Sequence, residues 1–120
     1  MAGDQKALYD LTPLLKTYDN DQKAVRDMVR MFLDTIPPQW EELKDDYRTG
    51  KFEEVSTLAH SIKPVMDIMH IEMLTGVIRE IEKLAKEEKN EELKSLIDNF
   101  DDVIIKVFNS LRDDLENRFI

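Results

Sequence analysis

Residues 52–69 read FEEVSTLAHSIKPVMDIM, and their spacing decides the fold. Apolar side chains recur at Phe52, Val55, Leu58, Ala59, Ile62, Met66 and Met69, in steps that fit an α-helix with one apolar face. At about 100° per residue, Val55, Ala59, Ile62, Met66 and Met69 fall in one narrow stripe. His60 lies roughly 140° from the centre of that stripe by the same geometry. It is therefore expected to be open to solvent, in the middle of a rigid helix. Ser56, Lys63, Pro64 and Asp67 are placed on the same outward side, with Ile68 at its edge.

The same period extends in both directions. Leu8, Leu11, Leu14, Leu15 and Tyr18 make a short amphipathic pattern, with Thr12-Pro13 suited to a helix start. Asp19-Asn20-Asp21 breaks it and offers an N-cap. Val25, Met28, Val29, Phe32 and Ile36 carry a second helix, which Pro37-Pro38 interrupts before the pattern resumes at Trp40, Leu43 and Tyr47. Proline removes an amide donor and clashes with the preceding turn, so a kinked helix or two stacked segments are expected, ended by Thr49-Gly50. Beyond the quoted stretch, Leu74, Val77, Ile78, Ile81, Leu84 and Ala85 stripe a fourth helix over 71–86. A charged turn follows over 86–90. The last helix, over 91–117, carries Leu93, Leu96, Ile97, Phe100, Val103, Ile104, Val107, Phe108, Leu111 and Leu115. Four long amphipathic helices with short connections predict an all-α, antiparallel up-and-down four-helix bundle with an extra short N-terminal helix.

The 120 residues suit one domain, 1–120, with the polar residues 1–7 expected to be loose. Three glycines and four prolines are too few for the turns of a sheet protein this size. There is no cysteine, which excludes disulfides, thiolate nucleophiles and zinc–thiolate sites and fits a reducing compartment. A net charge of −9 repels phosphate backbones and anionic lipid, so neither nucleic acid nor a membrane surface is an expected partner. No apolar run approaches the roughly 20 residues of a membrane span, and no signal-peptide core opens the chain. A soluble, cytoplasmic protein is expected, and the initiator methionine favours a free-standing one.

By periodicity alone, His60 is also readable as an ordinary surface residue. The chemistry gives it a second reading. A neutral imidazole nitrogen is a nucleophile that can attack an acyl phosphate and hold the phosphoryl group as a labile phosphoramidate. Lys63, at i+3, shares its face and can bring a charge toward the phosphate oxygens.

The segment Leu58-Ala59-His60-Ser61-Ile62-Lys63-Pro64 resembles the signature of histidine-containing phosphotransfer (HPt) domains, in which Ala-His is followed by two residues, a lysine and usually a glycine. Ile71-Glu72-Met73-Leu74 with Ile81-Glu82 is similar to the family's next helix. Leu8-Tyr9-Asp10-Leu11 and Met31-Phe32-Leu33 resemble its earlier ones. The resemblance implies a monomeric four-helix bundle that relays phosphate between response-regulator receiver domains or a hybrid sensor kinase. It implies His60 as the phosphorylated residue and Lys63 as the phosphate-stabilising one. It implies a phosphocarrier rather than an enzyme, with no ATP site and no cofactor of its own, the Mg2+ belonging to the receiver. The chain itself shows no Gly-rich phosphate loop.

Two positions depart from the pattern. Pro64 stands where glycine is usual, as in a recognisable subset of the family, and His70 where a second glycine is common. Pro64 cannot donate to the His60 carbonyl, so a local bend and a free carbonyl are expected. His70 is expected either to crowd a partner's approach or to end the helix. His70 with Asp67 or Glu72 does not make a bundle metal site, which needs carboxylates and histidines repeated on several helices, so no metal is expected. Asp67 is expected to turn away from the phosphate. Trp40 and the methionines Met66, Met69 and Met73 suit core filling. Ser56, Pro64, Asp67 and Ile68 are the candidate partner-docking residues, with Pro64 and Ile68 as an apolar patch. The alternative function is a helical docking module that binds a signalling partner without phosphate. A self-contained enzyme ranks third, because no nucleophile, base and orienting group converge.

Overall fold

The computed structural model describes residues 9–117. The loose segment expected over 1–7, and Leu8 of the first amphipathic pattern, lie outside the described residues. Five helices follow in order: α1 (Thr12–Thr17), α2 (Gln22–Arg48), α3 (Phe52–Met69), α4 (Glu72–Lys86) and α5 (Asn90–Asn117). No strand occurs among the described residues.

Local chemistry sets the boundaries. Pro13 sits in the first turn of α1, where its missing N–H costs nothing. Asp21 caps α2, its Oδ1 accepting from the amides of Lys23 and Ala24 at 3.0 and 3.1 Å. Of the two forms expected at Pro37-Pro38, a kinked helix or two stacked segments, the second does not occur, because α2 runs through as one element. Buried Phe32 and Ile36 before the prolines, and Trp40 and Leu43 after them, lie on one face. Their shared burial outweighs the two lost amide bonds. Gly50 ends the α2–α3 turn at φ +75°, where a side chain would be strained. His70 ends α3 in the left-handed conformation, φ +56°, one of the two parts expected of it.

The short connections make consecutive long helices antiparallel neighbours. α2 packs on α3, α3 on α4 and α4 on α5, and α2 also meets α5, closing the ring. The core inside it includes Phe32, Trp40, Ile62, Met66, Met69, Leu74, Ile81 and Leu111, with Met73 packed at its margin. Phe32 and Phe108 meet edge to face at 6.0 Å. On the α2–α5 seam, Trp40 Nε1 and Lys44 Nζ both donate to Asp101 Oδ1 at 2.8 Å. Burial opposes the Lys44 charge, but Asp101 and Glu41 outweigh it and raise the lysine's pKa. Burial likewise opposes ionisation of Asp101, yet Lys44 and Trp40 leave its pKa lowered. α1 lies over one end, with Leu11 and Leu14 buried. Tyr9 donates its hydroxyl to Asp114 of α5, and Thr17 Oγ1 lies 3.3 Å from His70 Nε2.

Candidate functional site

The α3–α4 connection is so short that each step back along α3 is matched by a step forward along α4. Residue 60 is thereby brought level with residue 82. His60 projects outward with its side chain 69% exposed, as the helical geometry predicts, and Glu82 lies beneath it with 9% exposed.

Glu82 gathers three donors. Its Oε2 is 2.9 Å from His60 Nδ1 and 3.2 Å from Lys86 Nζ, and its Oε1 accepts from Lys63 Nζ at 3.0 Å. The Lys63 hydrogen bond is the main reason its pKa drops to about 2; burial pushes the other way, and Lys86 and His60 add to the drop. An ionised carboxylate can only accept, so Nδ1 must carry the proton it shares with Glu82. That choice leaves the Nε2 lone pair free on the outward side of the ring. No described residue bonds Nε2. A shallow groove around it is lined by Lys63, Arg79, Lys83 and Lys86 together with Glu82 and Glu87.

The sequence-predicted residues fall as follows. His60 and Lys63 come together, joined through Glu82 rather than by direct contact. Asp67 does turn aside, toward Arg79 of α4 at 3.5 Å. Pro64 is exposed, and Ile68 is 41% exposed, one of few large apolar side chains so placed. Ser56 is a correction: expected on the outward face, it is 8% exposed. α4 lies along the whole flank of α3 that carries Ser56, Lys63 and Asp67. Ser56 is buried on the side of α3 that faces Ala85 and Lys86 of α4, so α3 buries a wider arc than its apolar stripe alone suggests. α3 passes through Pro64 as one unbroken helix, and no described side chain donates to the His60 carbonyl. Among the described residues, no group of three or more His, Cys, Asp or Glu side chains is placed to hold a metal ion. Nor is any described helix long and apolar enough to cross a membrane.

Two residues at the site were not assigned a role from sequence: Glu82, quoted only for its resemblance, and Lys86. The signal for Glu82 was its position, an acid one turn from Ile78 and beside Ile81 and Ala85 in the buried stripe of α4. A charge placed there needs a partner, and the only elements able to supply one pack against that face.

A family model described as the Hpt domain matches residues 27–117, which covers α3, α4, α5 and most of α2. No curated protein matches the chain, and no solved structure does.

Proposed function

The chain belongs to the Hpt domain family, whose members serve histidine phosphotransfer in phosphorelays as phosphocarriers, and from that premise we propose that His60 accepts a phosphoryl group from the aspartate of one receiver domain and passes it to another. The observation that carries this reading is the Glu82–Nδ1 hydrogen bond at 2.9 Å beneath an exposed ring.

The chemistry balances without a base. The Nε2 lone pair attacks phosphorus, the Nε2–P bond forms as the acyl O–P bond breaks, and the aspartate leaves as carboxylate. The proton stays on Nδ1, so the phosphorylated ring is an imidazolium whose charge Glu82 balances. A buried carboxylate plays the same orienting part beside the histidine of a serine-protease triad. Return of the phosphoryl group to a second aspartate reverses each step. Lys63 stabilises the phosphoryl oxygens, and the receiver supplies the Mg2+. The carrier needs no nucleotide site or cofactor.

Pro64 and Ile68 form the apolar edge on which a receiver docks, with Asp67 at its rim and Ser56 about two turns before Pro64 in the packed seam. The carrier acts as a monomer in the cytoplasm, as a single domain over 1–120. A docking module without phosphate would use Glu82 for its lysine pairs alone and would have no need of its hydrogen bond to His60 Nδ1. The test is transfer itself: incubate the chain with aspartyl-phosphorylated receivers and magnesium, and follow acid-labile phosphate. Label is expected on the wild type and absent from His60→Gln; a folded wild type that takes no label from any receiver would overturn the proposal.

A further inference from the structure

The two lysines on Glu82 are not equivalent. Lys63 has Oε1 to itself, whereas Lys86 shares Oε2 with His60 Nδ1. Lys63 is half-buried, while the Lys86 side chain is 64% exposed on a flexible four-carbon stem. While the imidazole is neutral, Oε2 can serve a lysine and an N–H together. Once Nε2 carries a phosphoryl group and the ring is cationic, two positive groups compete for that one oxygen. The imidazolium, with two side-chain torsions against the lysine's four, is the less free of the two to leave. Lys86 can leave, and the new phosphoryl oxygens stand on the same imidazole, no farther than its stem can swing.

We propose that Lys86 changes partner when His60 is phosphorylated, leaving Glu82 Oε2 for a phosphoryl oxygen, and so sets the lifetime of the phosphohistidine. The inference rests on the phosphocarrier reading and deepens it, by assigning a second phosphate-holding cation beside Lys63. No bond to phosphorus is made or broken by Lys86. It exchanges one charge-assisted hydrogen bond for another. Its effect is to shield the phosphorus from water and to hold the phosphoryl group until a receiver arrives.

The experiment uses the full chain and a small donor, potassium phosphoramidate, which transfers a phosphoryl group to imidazole nitrogen. Phosphohistidine is followed by 31P NMR during labelling and after the donor is removed. Lys86→Gln is expected to lose phosphate roughly three to ten times faster than wild type. Lys86→Arg should restore most of the lifetime. Lys94→Gln, which removes a distant exposed cation paired with Asp98, should leave it unchanged. The ratio between Lys86→Gln and wild type should persist through the neutral and alkaline range. A ratio that appears only as pH falls would place the effect in the Nδ1 proton and overturn the proposal, as would equal decay at every pH. A wild type that takes no label on His60 would instead remove the phosphocarrier reading on which it stands.

Discussion

Replacing Glu82 by glutamine keeps the shape of the side chain and removes the charge on which His60, Lys63 and Lys86 converge. A hydrogen bond to a charged group contributes about 1.5–3 kcal/mol, and one involving a mostly exposed lysine much less. Lys63, half-buried and alone on Oε1, therefore dominates the loss, which should be about 2 kcal/mol near neutral pH. For a chain of this length that lowers Tm by roughly 6–10 °C. The pH dependence gives a sharper test. The folded pKa of Glu82 lies near 2, below its ordinary 4.5, so its stabilisation is complete above about 4.5 and fades as pH falls toward 2. Urea unfolding of both proteins, at neutral pH and again in the acid range, should show the deficit of Glu82→Gln shrinking as the wild type loses its advantage. A deficit of the same size at both pH values would refute the reasoning, because it would trace to packing rather than to the carboxylate's charge.

Two further outcomes follow from the same geometry. His70→Gly relieves the left-handed backbone at φ +56° and should stabilise the fold by about 1 kcal/mol, less whatever the Thr17 contact contributes; a lower Tm in thermal melts would show that contact to matter more than the strain. Ile68→Glu puts a charge on the exposed edge beside Pro64 and should slow transfer from a phosphorylated receiver by tenfold or more with Tm unchanged, so unaltered transfer rates would remove Ile68 from the docking surface.

The helical period alone placed most of this molecule. The stripe of α4 is buried throughout, those of α3 and α5 are buried except for half-buried Phe52, Leu58, Leu96, Phe100, Val103 and Leu115, and the outward position of His60 followed from one angle. Two features were legible only in part, each for a physical reason. Proline at 37 and 38 reads as a breaker because sequence shows the missing amides and not the burial of Phe32, Ile36, Trp40 and Leu43 that holds the helix through them. Ser56 reads as exposed because a periodic stripe assumes one packing partner. α3 has two, and the second covers the flank that faces α4. The role of Glu82 depends on helix pairing: it becomes evident only once α3 and α4 are laid antiparallel and residue 82 is brought level with residue 60. A left-handed residue at 70 explains in turn why glycine is at ease there and why histidine can stand in at a modest cost.

Two carboxylates placed on opposite seams of the ring differ in the charge around them, and the difference bears on where the proposed phosphoryl group would sit. On the α2–α5 side, Lys44 is held between Asp101 and Glu41, with Trp40 completing the bonds of Asp101. In that cluster two acids hold one lysine, and Arg48 and Lys94 beside it are matched by Asp98 and Asp102, so no positive surplus is left for an incoming anion. On the α3–α4 side the ratio is inverted. One acid, Glu82, holds two lysines and an imidazole, while Arg79 and Lys83 line the same groove with one further acid, Glu87, so cations outnumber acids there. In a chain whose net charge is −9, that local surplus of positive charge is not an average property of the surface. A dianionic phosphoryl group on Nε2 would neutralise it, while Glu82 would remain to balance the imidazolium that phosphorylation creates. The two seams use the same residue types, and it is the sign of the surplus that suits one to a structural lock and the other to the proposed phosphoryl group.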